Sequence, residues 1–427
     1  MKFDALKDLM AFLSQAPTAW HATQQMGNRF AQQDFTPLYE EEKWDLKPGE
    51  SYFVQRGGSL CAFVMPKQTP QCATILASHT DSPALKLKPH PVFIEHSLPF
   101  LRVETYGSPI LATWLNRDLV IAGRVLISNG DGEVEEKLVF LESAPMLIPS
   151  LAIHLDRETT ENPKKIDKQE QLCPLMGLGQ GCHDPDAVFS ALLSSEISHK
   201  TLLGFDLYLV PYESPRILGS DSSLLASYRL DNLVSAHASL LALLGAQKPS
   251  KETLQMAIFW NHEEIGSGTD EGASSPFFLD ILKRISLSYK MGEEDFLRMK
   301  HASYFVSIDL AHAFHPNYKK KYDQKNAPAI GKGVVIKYNA NHRYATNGVT
   351  AAKIVKTCLK EKIPYQSFAS ESNLACGSTV GSLTATRTGI PTVDIGIAQF
   401  SMHASRELIA IEDHLHLCKL LKSLMEC

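Results

Sequence analysis

The apolar positions of this chain fall into two kinds of pattern. In the first, short runs of apolar and β-branched residues end in polar or ionisable ones. Thr74-Ile75-Leu76-Ala77 leads to His79, Met256-Ala257-Ile258-Phe259-Trp260 leads to His262-Glu263-Glu264, Tyr304-Phe305-Val306-Ser307-Ile308 leads to Asp309, and Thr392-Val393-Asp394-Ile395-Gly396-Ile397 comes shortly before His403. Runs of roughly four to eight such residues bounded by polar turns predict buried strands. In the second, apolar residues recur at helical spacing. Leu233, His237, Leu240, Leu241 and Leu244 share one face after Asp231, residues 351–359 form another amphipathic stretch, and residues 408–425 close the chain. Strands alternating with helices predict an α/β layered domain, in which functional groups gather at strand ends and in the loops after them.

The start of the chain predicts a helix, with Phe3, Leu6, Leu9 and Met10 at helical spacing, followed by short strands around Pro48-Gly49 and Gly57-Gly58. From residue 89 to about 228 the pattern changes to many short extended runs (92–94, 119–121, 124–127, 138–140) and a polar insert at 156–171. Residues 89–228 are therefore expected to be a β-rich module inserted into a discontinuous α/β domain made of 1–88 and 229–427. No internal repeat or low-complexity linker interrupts this order.

With 427 residues the chain can bury a large core and form more than one domain. Its 44% hydrophobic and 21% charged content is that of an ordinary globular enzyme. A net charge of −5 gives no electrostatic reason to expect nucleic acid or an anionic membrane as partner. No segment approaches the ~20 apolar residues of a membrane span, and the N-terminus lacks the apolar core of a signal peptide. The expectation is a cytoplasmic protein. The cysteines at 61, 72, 173, 182, 358, 376, 418 and 427 form no CxxC pair, which argues against a zinc knuckle or thioredoxin-like site and for reduced thiols.

Several residues carry chemistry. In His79-Thr80-Asp81 the two outer side chains point the same way on an extended chain, so Asp81 could orient a metal-bound imidazole; a capped strand end reads equally simply. Glu263-Glu264 stands directly after a predicted strand and before Ile265-Gly266-Ser267-Gly268. There one carboxylate could ligate a metal while its neighbour acts as general base, or the pair could be a solvated acidic turn. Asp231 opens a helical pattern and could be its N-cap. Asp309 is followed by His312 and His315, which could share a helical face. Taken together, His79, Asp231, Glu264, Asp309 and His403 offer two imidazoles and three carboxylates, a set suited to a pair of zinc, cobalt or manganese ions.

These segments resemble the aspartyl aminopeptidase family of metallopeptidases, M18, over nearly the whole chain. The likeness is carried in order by Ser78-His79-Thr80-Asp81-Ser82-Pro83, Ser150-Leu151-Ala152-Ile153-His154-Leu155, Arg229-Leu230-Asp231-Asn232, Glu263-Glu264-Ile265-Gly266-Ser267, Asp309 with Ala311-His312-Ala313 and His315-Pro316-Asn317-Tyr318, Cys376-Gly377-Ser378-Thr379, and Met402-His403 with Arg406-Glu407. The resemblance implies a zinc aminopeptidase acting on unblocked peptides. Asp231 would bridge two ions, His79 and Asp309 would hold one, and Glu264 and His403 the other. Asp81 would orient His79, and Glu263 would be the base acting on a metal-bridged water. His154, reaching from the inserted dimerisation domain of a neighbouring subunit, would stabilise the oxyanion. It also implies homo-oligomers, dimers assembling into a tetrahedral dodecamer that excludes folded proteins. Lys337 matches the basic group associated with a preference for N-terminal Asp or Glu, and His312 and His315 are expected with it at the substrate site. The chain departs from the family pattern at His262, where Asn is expected, and at Lys321-Tyr322-Asp323, where Lys-His-Glu is expected.

Other classes meet difficulties. A two-metal deacylase or phosphoesterase could use the same ligand types, but Gly377-Ser378-Thr379 lies in no phosphate-binding GxxxxGK[ST] pattern. A self-assembling scaffold without catalysis would not need Glu263. An aminopeptidase preferring neutral or hydrophobic residues is the alternative to acidic specificity.

Overall fold

The computed structural model describes residues 2–426 apart from 129, 131, 156, 158–165, 180, 182, 199, 247 and 248. The polar insert expected at 156–171 lies partly outside the described residues, as do Cys182 and Cys427. The described chain divides into two compact units: Met1–Asp81 with Pro215–Met402 and Glu407–Cys427, and Ser82–Ser214 with His403–Arg406.

The first unit is built on a mixed sheet of thirteen strands. Along its central path lie Thr36–Leu38, Ser51–Arg56, Ser59–Val64, Thr253–Trp260, Cys72–His79, Tyr304–Ile308, Thr392–Phe400, Glu407–Ala410, Leu224–Ser227 and Arg216–Leu218. The middle of this order is parallel: Cys72–His79 runs alongside both Thr253–Trp260 and Tyr304–Ile308, and Tyr304–Ile308 alongside Thr392–Phe400. Both faces are covered, which is why these strands read as continuous apolar runs rather than alternating ones. In Ser59–Val64, Leu60, Ala62 and Val64 join a core with Phe12, Met26, Phe30, Leu233, Leu240 and Leu421, all from helices. Cys61 and Phe63 point the other way, into a core with Phe277, Ile281, Ile285, Phe296 and Met299. The strand period of two thus assigns each side chain to a helical layer, and the unit is an α/β sandwich of three layers.

The helices depart from the sequence expectation in detail. The N-terminus holds two, Lys2–Gln15 and Ala19–Ala31, because Pro17 and Thr18 break the run, Thr18 being the extended N-cap of the second. Residues 408–425 are not one helix: Glu407–Ala410 pairs as a strand with Leu224–Ser227 and Thr392–Phe400, and the helix begins at Ile411.

The second unit carries a five-stranded antiparallel sheet, in the order Leu98–Tyr106, Ala84–Glu95, Thr201–Pro211, Leu119–Ser128, Glu135–Phe140. The helix Pro185–Ile197 has Asp184 as its N-cap, with Pro185 directly after it.

Candidate metal centre and active site

Three neighbouring strands of the first unit end at one edge of the sheet. Trp260 pairs with His79 in register, and Tyr304–Ile308 flanks His79's strand on its other side. Parallel alignment brings the segments after these strands together: His79 to Asp81, the short 3-10 turn Glu263–Ile265, and Asp309. Asp231 arrives from the start of the helix Leu230–Gly245.

Asp231 is not the N-cap of that helix. The cap position belongs to Arg229, at φ 63°, and Asp231 has non-helical angles, φ −81° and ψ 104°. Its backbone N–H donates to Glu407 Oε2 at 3.0 Å, and the Asp231–Asn232 peptide is cis. Asn232 Nδ2 donates to the Ile308 carbonyl at 2.8 Å, and the Arg229 guanidinium donates to the Thr80 carbonyl. These buried bonds lash the start of the helix to the two strand ends that carry His79 and Asp309. Glu407 and Arg229 are only 2% and 4% exposed, and both appear in the sequence merely as neighbours of better candidates.

The resulting cluster is dense. His79 Nε2 lies 3.3 Å from Asp231 Oδ1 and 3.6 Å from Asp309 Oδ1. Its Nδ1 faces Asp81, 3.4 Å from Oδ1 and 3.1 Å from the main-chain carbonyl. A proton held on Nδ1 by these acceptors leaves the Nε2 lone pair directed at the carboxylates. The Asp81 carboxylate also accepts from Glu263 N at 3.1 Å and Glu264 N at 3.0 Å, so one side chain orients the imidazole and pins the acidic turn. Asp309 Oδ2 receives Lys337 Nζ at 3.2 Å.

Crowding so many carboxylates has an electrostatic cost. Burial, together with Asp309, Asp81 and Asp231, pushes Glu263 up to about 8 despite the opposing field of His79. Burial and Asp231 also raise Glu264 well above its ordinary range. Burial acts against the charged form of Asp309 too, but Lys337 and His79 outweigh it and hold that carboxyl low. For His79, burial opposes protonation while Asp231, Asp309 and Asp81 favour it, and the net direction is upward. A site that gathers more carboxylates than cations is suited to a divalent ion. The donor set meets the test directly: His79, Asp231 and Glu264 offer ligand atoms all within 4.8 Å of one another, nitrogen and oxygen without sulfur.

The remaining sequence-selected residues have the following surroundings. His312 sits in the two-residue strand Ala311–His312, edge-on to the Phe368 ring, while His315 precedes the 3-10 turn Pro316–Lys321 and contacts the rings of Tyr318 and Phe400. They do not share a helical face, because Pro316 holds His315 extended. His262, where the family pattern expects Asn, adopts φ 62° and pairs with Thr269 Oγ1 at 2.7 Å within the loop after Trp260. In the second unit His154 is exposed, flanked by exposed Leu151, Ile153 and Leu155. His403, also assigned to that unit, is half-buried with Nδ1 3.2 Å from the Ser108 carbonyl oxygen.

Residues 12–425 match the family model described as aminopeptidase I zinc metalloprotease, M18. A probable M18 family aminopeptidase 2 of Streptomyces avermitilis is 39% identical over 427 residues, covering 98% of this chain and 97% of the relative. Its namesake in Pseudomonas savastanoi is 38% identical over 432 residues, with 99% and 98% covered. Among solved structures, a chain of the Ape4 and Nbr1 complex superposes with a TM-score of 0.94 at 32% identity, covering all of this chain and 86% of that one. The M18 aminopeptidase of Thermotoga maritima gives 0.87 at 25% identity, covering 99% and 96%.

Proposed function

We propose, for a chain that belongs to the aminopeptidase I zinc metalloprotease family, M18, that it removes N-terminal Asp or Glu from unblocked peptides with Glu263 as general base. The observation that carries the mechanism is the convergence of His79, Asp231, Glu264 and Asp309 beside a half-buried Glu263. His79, Asp231, Glu264 and Asp309 would hold the metal, which the proposal takes as two divalent ions, zinc first and cobalt or manganese as substitutes. His403 is assigned as a further ligand on the family resemblance. Such ions supply Lewis acidity toward the scissile carbonyl and charge compensation for the acidic cluster.

The remaining steps belong to the side chains. Asp81 fixes the His79 tautomer and the backbone of the turn that carries both glutamates. Glu263 accepts the proton of the attacking water and returns it to the departing amine. His154 of a second copy would donate to the oxyanion. The exposed apolar run around His154 supports a homo-oligomer, since a second copy would cover that surface, and the family resemblance extends this to dimers assembling into a tetrahedral dodecamer. A cytoplasmic location is proposed from the sequence; separately, no described helix is long and apolar enough to cross a membrane.

Acidic preference rests on Lys337, whose ammonium is directed at the same cluster. A specific observation favours a second reading: that ammonium is already engaged by Asp309, which would leave a pocket for neutral side chains. Hydrolysis of aminoacyl chromogenic substrates (Asp, Glu, Leu, Ala, Lys), with Glu263→Gln and chelator controls, tests both. Cleavage of Asp and Glu substrates, lost in both controls, supports the proposal. Preference for Leu retains the mechanism and discards the acidic pocket, and activity surviving in Glu263→Gln overturns the mechanism.

A further inference from the structure

A second cluster of metal-ligating side chains lies in the same unit and takes no part in the chemistry above. His237, from the helix Leu230–Gly245, meets His414 and Cys418, from the helix Ile411–Met425. The latter two are four residues apart and so share a helical face. His237 Nδ1 is 3.2 Å from His414 Nε2, and His414 Nε2 is 3.5 Å from Cys418 Sγ. All three offer ligand atoms within 4.8 Å of one another.

From these observations we propose that His237, His414 and Cys418 form a further metal site, of borderline-soft character, selecting Zn²⁺ among common divalent ions. The spacing fits the ion. Zinc bonds of about 2.05 Å to nitrogen and about 2.3 Å to sulfur, at tetrahedral angles, put N and N about 3.3 Å apart and N and S about 3.6 Å apart. The surroundings fit as well. Asp8 Oδ2 accepts from His237 Nε2 at 2.9 Å and is itself held by Arg29 Nη1 at 3.0 Å. A proton on Nε2 leaves the lone pair of His237 on Nδ1, the atom that faces the cluster, which is the carboxylate–histidine arrangement common behind metal-bound imidazoles. Both histidines are buried, at 0% and 1% exposure, while Cys418 stands half-buried at the edge and would give an ion its route in. Binding would release the thiol proton to solvent, and three protein donors leave the fourth tetrahedral position to water or an incoming ligand. The competing account is a hydrogen-bonded network tying the helices Lys2–Gln15, Leu230–Gly245 and Ile411–Met425 together without metal.

Sulfur separates this site from the all-nitrogen-and-oxygen site. Metal-free full-length protein is titrated with Co²⁺, and near-ultraviolet thiolate-to-cobalt charge-transfer absorption is followed. The band is expected in wild type and in Glu264→Gln, and is expected to vanish in Cys418→Ser. In unmutated protein, Zn²⁺ is also expected to slow alkylation of Cys418, mapped by peptide mass, by about tenfold, because coordination occupies the sulfur lone pair that alkylation needs. This second readout needs no variant to fold. A band that persists in Cys418→Ser, or alkylation of Cys418 at the same rate with and without Zn²⁺, overturns the proposal in favour of the hydrogen-bonded network.

Discussion

Lys337 and Asp309 form an ion pair, Nζ to Oδ2 at 3.2 Å, with the lysine side chain 1% exposed and the aspartate 16%. A buried ammonium is costly to separate from its carboxylate, so the pair binds the fate of a proposed metal ligand to that of a proposed specificity residue.

Replacing Lys337 separates the two roles. If the ammonium recognises a substrate carboxylate, Lys337→Met raises KM for Asp and Glu substrates and leaves Leu and Ala substrates nearly unchanged. If it mainly positions Asp309, kcat falls on every substrate and metal content drops with it. Steady-state kinetics on both substrate classes, with metal analysis of the purified variant, distinguishes these outcomes. We expect the substrate-selective pattern, with discrimination reduced by about 10- to 100-fold, the worth of a charge-assisted hydrogen bond of about 1.5–3 kcal/mol.

Asp81 acts through others. It accepts from the backbone of both Glu263 and Glu264 and faces His79. Asp81→Asn keeps the shape but offers one acceptor oxygen where there were two, so metal affinity or kcat should fall by about 10- to 100-fold, as for other partners behind metal ligands. An unchanged metal dissociation constant together with unchanged kcat would remove its positioning role.

Gly396 sets the depth of Asp309. A methyl built on Gly396 would lie 1.9 Å from the Asp309 carbonyl oxygen, a backbone atom that cannot swing aside. Gly396→Ala should therefore cost about 1–3 kcal/mol of stability through overpacking and displace Asp309 from His79. Thermal unfolding and activity measured on the same sample check this; a variant of wild-type stability and rate would contradict it.

His21, which is not among the proposed metal ligands, supplies a pH dependence of stability. Burial, with Arg229 nearby, lowers its pKa from 6.5 to about 4. The unfolded chain then binds a proton that the folded chain refuses between about pH 6.5 and 4, so stability falls as pH drops through that window and levels off below it. The shift corresponds to about 3 kcal/mol. Urea unfolding of His21→Gln across pH 4–7 should show a shallower acid slope, by about one proton, than wild type; parallel curves would mean that His21 titrates normally.

The strands that frame the site were legible from the chain alone. Tyr304–Ile308 has the expected bounds, and the apolar runs ending at His79 and Trp260 are the parallel strands Cys72–His79 and Thr253–Trp260. This works because side-chain periodicity and the cost of burying polar groups are local properties, readable a few residues at a time. His79-Thr80-Asp81 and Glu263-Glu264 were visible for the same reason, as ionisable groups placed where a buried strand ends.

What the chain could not disclose depended on partners distant in sequence. That Asp231 is held by Glu407 instead of capping its helix, that Lys337 pairs with Asp309, and that Asp81 reaches the backbone of the acidic turn all follow from strand order and register. His237 looked like one more member of an apolar helical face until the last helix brought His414 and Cys418 against it. Periodicity determines which face of an element is buried. Which other element covers that face, and therefore which side chains meet there, is decided only when the whole sheet and its helices pack together.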